Sequence, residues 1–292
     1  MSTGAPAHMS YSQINSFLRC GEQYRLEKVH HVPSRPSWAQ VGGSAVHAAS
    51  EAFDRQALGL TSSGQGVTLD FMDWNGHFEA AIADQEERTG YPSSEFRASG
   101  RASKAWPNKE NRDWWNAEGP LMLQRWVTWR QTSSWEIWTT PEGIPAIELE
   151  VNANFGPKDQ PVLVKAYIDR VMVNADGTMA VVDLKSGHIP AGTMQLGQYA
   201  ESLHRVLDWT RPQYGFFWNA RNGGTSVPED LDRWTGEYFD YAYTGVAERK
   251  SRKDLYLPQI TNMCASCGVR DYCRYVGGER AGEVPAAWEE EN

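Results

Sequence analysis

Residues 162–187 read VLVKAYIDRVMVNADGTMAVVDLKSG, and the fold is decided there. Val162, Val164, Ala166 and Ile168 alternate with Leu163, Lys165, Tyr167 and Asp169, the period of a β-strand. Asn174-Ala175-Asp176-Gly177 is turn chemistry, and a second strand resumes over 178–185. A hairpin centred near Asp176 pairs residues whose numbers sum to about 352, so Asp169 faces Asp183 with Cβ atoms roughly 5 Å apart. Asp183 and Lys185 then share one face of their strand. Two ionised carboxylates this close repel unless a cation sits between them. Oxygen ligands so arranged suit Mg2+ or Mn2+. Lys185 would face the same point, set to neutralise a phosphate and help position an attacking water. A surface hairpin with an Asp–Lys cross-strand pair is the alternative reading of the same residues.

Working outward, Ile147, Leu149 and Val151 alternate with Glu148 and Glu150, which predicts a strand with one wet face. Gly187, Pro190 and Gly192 end the second hairpin strand; 193–207 reads as a helix and 214–218 as a buried strand. Upstream, Ser10-Tyr11-Ser12-Gln13 has capping-box form, and Ile14, Phe17, Leu18 and Tyr24 recur at helical spacing. Gly42-Gly43 is expected to break the chain before a second helix over 44–58 with His47 in its first turn. Residues 59–140, with loops at 59–70 and 93–111, are expected to form a mostly helical insertion, and 1–9 and 280–292 flexible tails. Helix, three strands, helix, strand is the order of an α/β domain with a mixed sheet. The chain is expected to be a single domain over 1–292.

The chain has 292 residues, 40% of them hydrophobic, so a sizeable core is available. No stretch approaches the ~20 apolar residues of a membrane span, and no signal peptide is evident; a soluble, cytoplasmic protein without membrane contact is expected. A net charge of −9 disfavours sequence-blind nucleic-acid binding except through local basic patches. Arg249-Lys250-Ser251-Arg252-Lys253 is one such patch; Arg97, Arg101, Lys104, Lys109 and Arg112 form a looser one. Of 13 tryptophans, Trp126 and Trp129 stand three apart beside Leu121 and Leu123, the spacing of a buried helix face. The others between 100 and 140, interleaved with Arg and Lys, could stack on unpaired bases.

The 4 cysteines divide between the two ends: Cys20 alone, then Cys264, Cys267 and Cys273 as C-x2-C-x5-C. That spacing leaves one tetrahedral corner open for a remote thiolate, so a cysteine-ligated metal is expected. Buried unligated thiols and disulfides are the alternatives.

Taken together, the G-x-x-x-H of 43–47, the I-D-R-V of 168–171, the V-V-D-x-K-S-G of 181–187 and the Q-x-x-x-Y of 195–199 resemble RecB-type nucleases of the PD-(D/E)XK superfamily. The split cysteines are similar to its iron–sulfur branch, which includes CRISPR-adaptation exonucleases, phage homologues and the AddB nuclease domain. The resemblance covers 10–47, 147–203 and 262–275, with Gly21 standing where proline is frequent. It implies a restriction-endonuclease-like core with a mixed central sheet. It implies that His47, Asp169, Asp183 and the Leu184 carbonyl hold the metal and that Lys185 is the catalytic lysine. Gln195 and Tyr199 would orient DNA or that lysine. Cys20, Cys264, Cys267 and Cys273 would hold a 4Fe-4S cluster stapling the N-terminal helix to the 262–275 module. The implied function is an Mg2+- or Mn2+-dependent exonuclease on single-stranded DNA ends, in recombination, repair or CRISPR spacer capture. Partners would be recombination or CRISPR-adaptation proteins, or further copies of the chain. A non-catalytic DNA-binding protein of the same fold, and a zinc site in place of the cluster, are the rival expectations.

Overall fold

A computed structural model describes residues 8–60, 70, 72–207, 211–251, 256–287 and 289. Its centre is a seven-stranded mixed sheet. Strand β1 (Glu136–Ile137) and strand β2 (Ile147–Phe155) both pair antiparallel with β3 (Val162–Val173). On its other side β3 pairs antiparallel with β4 (Met179–Lys185), and the register follows the turn-centre expectation: Arg170 opposes Val182 and Val171 opposes Val181. Strand β4 runs parallel to β5 (Tyr214–Asn219), through the intervening helix α6 (Met194–Leu207). Short strands β6 (Gly224–Thr225) and β7 (Glu229–Asp230) extend β5.

Helices cover both faces. Helix α1 (Tyr11–Arg19) starts at Ser10, whose side chain accepts from the Gln13 N–H at 3.3 Å. A helical turn α2 (Gly21–Tyr24) follows and loosens into a π-helical stretch over Arg25–Val29. Helix α3 is Trp38–Ala57, longer than the sequence suggests, because Gly42 and Gly43 lie inside it rather than breaking it. Gly42 is where the Trp115 indole lies against the helix; a Cβ there would come within 2.0 Å of the ring. That gain in aromatic packing outweighs the roughly 1 kcal/mol that glycine costs in a helix. His47 therefore stands in the middle of α3, not in a first turn.

Helices α4 (Trp74–Thr89) and α5 (Arg112–Thr132) lie in the insertion and pack on α3. Trp38, Trp74, Trp114, Trp115 and Trp126 join Phe216 and Trp218 in one buried cluster, with Trp106, Trp129 and Trp135 against it. Those tryptophans are core, which corrects the stacking alternative for them. Within the looser basic set, Arg97 donates to the carbonyls of Arg35 and Ser266, and Arg112 pairs with Glu79 at 2.5 Å. The expected loop at 59–70 lies mostly outside the described residues, as do the side chains of the basic run 249–253.

On the other face, α6 packs Leu196, Tyr199 and Leu203 against Ile168, Val181 and Phe217. Helix α7 (Gly236–Ser251) closes a third cluster with α1. The expected tails are ordered where described: Met9 bridges Val164 and is 3% exposed, and Val284 and Ala286 are buried. Among the described residues no helix is long and apolar enough to cross a membrane.

Candidate metal site and cysteine cavity

The sheet register carries three carboxylates into one row. Ile147 opposes Arg170 and Leu149 opposes Ile168, which sets Glu148 opposite Asp169. The β3–β4 register sets Asp183 on the other side of Asp169. Strict alternation would keep Ile147, Leu149 and Val151 on one face, but the structure divides them. Ile147 packs with the α3 and α5 cluster, Leu149 and Val151 with the α6 cluster. The change of face occurs at Glu148, which takes φ 46°, a left-handed value a non-glycine residue adopts only when its surroundings impose it. That turn delivers Glu148 to the site instead of to solvent.

His47 of α3 completes the group. Its Nδ1 lies 3.6 Å from Glu148 Oε1 and 3.6 Å from Asp169 Oδ1, and its Nε2 lies 3.2 Å from the Leu184 carbonyl oxygen. His47, Glu148 and Asp169 each offer one ligand atom, all within 4.8 Å of one another. The Leu184 N–H donates to Asp169 Oδ2 at 2.7 Å, leaving Oδ1 turned to the histidine. Glu148 is held from behind by Arg170, fully buried, at 3.2 Å. Arg170 is fixed in turn by Asp54 at 2.7 Å and by Ser50 Oγ at 3.1 Å.

Asp183 stands apart from this triad. Its Oδ2 is 2.5 Å from Lys185 Nζ, in a geometry that does not align as a hydrogen bond, and it has no other partner. Lys185 Nζ also donates to Gln195 Oε1 at 3.2 Å, and Gln195 Nε2 donates to the Tyr199 hydroxyl at 2.8 Å. Both α6 residues therefore position the lysine, whose ammonium also lies 5.7 Å from the Phe217 ring centroid. The structure brings the sequence-predicted His47, Asp169, Asp183, Lys185, Gln195 and Tyr199 together, and adds Glu148 and Arg170, which the sequence reading did not include. The sequence reading also missed Tyr11 of α1, which lies in the field of Lys185 and Asp183 and whose hydroxyl is made less acidic by burial.

The electrostatics are those of a cation site. Burial opposes charge on His47, but Asp169, Glu148 and Asp183 outweigh it and lift the imidazole to about 9. Burial, aided by Asp183 and Glu148, lifts Asp169 to about 7 against the opposing pull of His47. Burial also raises Asp183, although Lys185 lowers it. Glu148 is lowered despite burial, because His47 and Arg170 favour its ionised form. A crowded carboxylate such as Asp169, which holds its proton to about 7, is a group that a divalent ion would ionise. The Asp183 carboxylate, met by the Lys185 ammonium alone at Oδ2, and the mixed imidazole–carboxylate donors fit Mg2+ or Mn2+. An open cavity of about 540 Å3, reaching His47, Glu148, Gly43 and Ser44, gives a route in from solvent.

The cysteines gather elsewhere. Cys20 ends α1 and caps α2, and its sulfur accepts from the Gln23 and Gln259 N–H groups at 3.5 and 3.4 Å. Gly21 is needed beside it, because a Cβ would come within 2.9 Å of the Tyr256–Leu257 backbone. Cys264 lies in the 3-10 turn Asn262–Ser266; Cys267 and Cys273 flank the turn Arg270–Tyr272 and its neighbours. None of the four is in a disulfide, and all four line one cavity of about 830 Å3. They do not form a compact group: among the described residues, the only set of three such ligand atoms mutually within 4.8 Å is His47, Glu148 and Asp169.

Two curated phage proteins are similar over nearly their whole length. The Gene 69 protein of Mycobacterium phage D29 is 29% identical over 287 residues, spanning 90% of this chain and 95% of its own. The Gene 69 protein of Mycobacterium phage L5 is 25% identical over 299 residues, with the same coverage of each chain. A solved structure described as the crystal structure of SSO0001 aligns over 80% of this chain and 84% of its own, at 11% identity and a TM-score of 0.35, too distant to bear on the argument. The family model of the PD-(D/E)XK nuclease superfamily matches residues 8–274. That span holds the whole carboxylate row, its lysine and all four cysteines, and on it the chain belongs to the PD-(D/E)XK nuclease superfamily.

Proposed function

We propose that this chain is a metal-dependent deoxyribonuclease that hydrolyses phosphodiester bonds at single-stranded DNA ends, as recombination or repair would require. The observation that carries the reading is Lys185, held between Asp183 and Gln195 beside the His47–Glu148–Asp169 triad. His47, Glu148 and Asp169 would hold the ion, with Asp183 and the Leu184 carbonyl beside them. A bound Mg2+ or Mn2+ supplies an acidified water and offsets the charge of the scissile phosphate. The chain's own part is positioning. Asp169 is oriented by the Leu184 N–H and Glu148 by Arg170, so the ligands need little rearrangement. The lysine ammonium, fixed by Gln195 and Tyr199, is set to meet phosphate charge as it develops.

The four cysteines would hold an iron–sulfur cluster that ties α1 to the C-terminal segment. Two features suit any thiolate-bound metal, and a third favours iron–sulfur over zinc. All four cysteines line one cavity. Backbone N–H groups point at the sulfurs of Cys20, Cys264, Cys267 and Cys273, as around an anionic cluster. Their spread exceeds the edge of about 3.8 Å that a zinc tetrahedron with ~2.3 Å Zn–S bonds requires.

The test is anaerobically purified protein with end-labelled single-stranded, double-stranded and circular DNA, with and without Mn2+. Metal-dependent shortening of linear single strands, with circles spared, is expected. Intact linear strands in the presence of metal would overturn the nuclease reading. Iron content and visible colour decide the cluster, and a colourless protein with stoichiometric zinc would replace it with the rival site.

A further inference from the structure

We propose that the cysteine cavity is also the far half of a single-stranded DNA channel, joined to the metal site by one stripe of α3. The inference deepens the nuclease reading and rests on it. The cavity is lined by the cations Arg19, Lys28, Arg88, Arg97 and Arg270 against one carboxylate, Glu27. In a chain of net charge −9, such a concentration of positive charge is local and directional. Arg19, Arg88 and Arg270 are exposed. Among the described residues Arg88 is engaged by an exposed pair with Asp84 at 3.3 Å, an interaction weak enough for a phosphate to replace. A thiolate-bound cluster would offset part of the positive charge deeper in, not that of the exposed rim.

The two cavities share a wall. Ser37 and Gln40 line the cysteine cavity, while Gln40, Gly43, Ser44 and His47 line the cavity at the metal site. On a helix, positions 37, 40, 44 and 47 fall three and four apart and form one stripe. Its residues are small or uncharged until His47, so a strand can lie close along it. Ten helical residues at 1.5 Å each give a path of about 15 Å, room for several nucleotides between the cleaved bond and the cations. Among the described residues no Phe, Tyr or Trp lines the cysteine cavity, and His31 is its only aromatic ring. Recognition there is therefore by phosphate charge rather than by base stacking, and predicts sequence-tolerant, salt-sensitive binding.

The test is fluorescence anisotropy of a labelled single-stranded oligonucleotide, titrated with salt in Ca2+ so that cleavage does not intrude. In the full chain, Arg19→Gln, Arg88→Gln and Arg270→Gln combined should weaken binding at least about tenfold at low salt and flatten the log-affinity against log-salt slope by about 2, at ~0.7 per lost contact. Arg88→Gln alone, on a helix that carries no cysteine, should flatten it by about 0.7, a change that a lost cluster cannot produce. Manganese affinity of the same variants, measured by calorimetry, should stay at the wild-type value. Wild-type affinity and slope in the triple variant would overturn the channel, and so would a parallel loss of manganese affinity. If wild-type protein cleaves no DNA, the nuclease reading fails, while the salt slopes still decide whether this cavity binds the strand.

Discussion

Around the metal site every contributing side chain leaves a regular element, whereas three of the four cysteines leave short 3-10 turns or their ends. His47, Glu148, Asp169, Asp183, Lys185, Gln195 and Tyr199 come from α3, β2, β3, β4 and α6, all seated on buried clusters. Cys264, Cys267 and Cys273 come from 3-10 turns over a small cluster of Leu26, Val269, Tyr272 and Val284. The difference teaches which site depends on its ligand for structure. A carboxylate row fixed by sheet register and by Arg170 is pre-organised, and there the proposed ion would bring chemistry rather than structure. On the proposed reading, turns with so little apolar cover would be held together by the metal their cysteines bind.

That contrast can be broken by substitution. The largest effect is expected for Asp169→Ala, Asp183→Ala and Lys185→Ala, each lowering cleavage on the order of 10³-fold or more in an end-labelled DNA assay. The melting temperature should fall for Lys185→Ala, which leaves the buried Asp183 carboxylate without its ion-pair partner at 2.5 Å. Next is Asp54→Asn, which strips the partner from Arg170 at 2.7 Å and from Arg130 at 2.9 Å. Breaking such a buried pair costs about 3–5 kcal/mol, a fall of roughly 10 °C by thermal denaturation, and frees Glu148 to drift.

Cys20→Ser should act on the other region, lowering the melting temperature by on the order of 5 °C, with loss of colour. An equally heat-stable Cys20→Ser protein would place the cohesion of that region elsewhere.

The smallest effect is in pH. His47 is lifted from 6.5 to about 9, so its protonated form stabilises the folded chain below 6.5 and that contribution is lost as pH rises through about 9. Asp169 is lifted from 3.8 to about 7 and shifts stability in the same direction at lower pH, from 3.8 upward. Metal-free protein should therefore lose stability steadily across that window. A divalent ion must displace those protons, so Mn2+ should raise the melting temperature more at about pH 8 than at about pH 6. A shift independent of pH would mean that the ion binds elsewhere.

Much of the first region was legible because its order is local. The Asn174–Gly177 turn fixes the β3–β4 register, and that register alone brings Asp169 to Asp183. The same arithmetic about the Gly156–Pro161 connection sets Glu148 opposite Asp169, so a signal for the missed ligand was present. It was obscured because Glu148 and Glu150 read as one wet face, and a single left-handed residue inside a strand leaves no mark on period-two patterning. Gly42 misled in the opposite way. Glycine inside a helix is read as a break unless the partner that needs the space is known, and Trp115 is distant in sequence. For the cysteines, count and spacing indicated a common site. That Gly21 opens room for the Tyr256–Leu257 backbone is a long-range contact that spacing does not encode.

The most direct test of the account is Glu148→Gln, which keeps the shape of the side chain and removes its charge. Manganese titration by calorimetry should show affinity reduced at least about tenfold, with DNA cleavage reduced in parallel and the fold unchanged. Wild-type manganese affinity and cleavage in Glu148→Gln would contradict the His47–Glu148–Asp169 centre and leave the row of carboxylates without its proposed purpose.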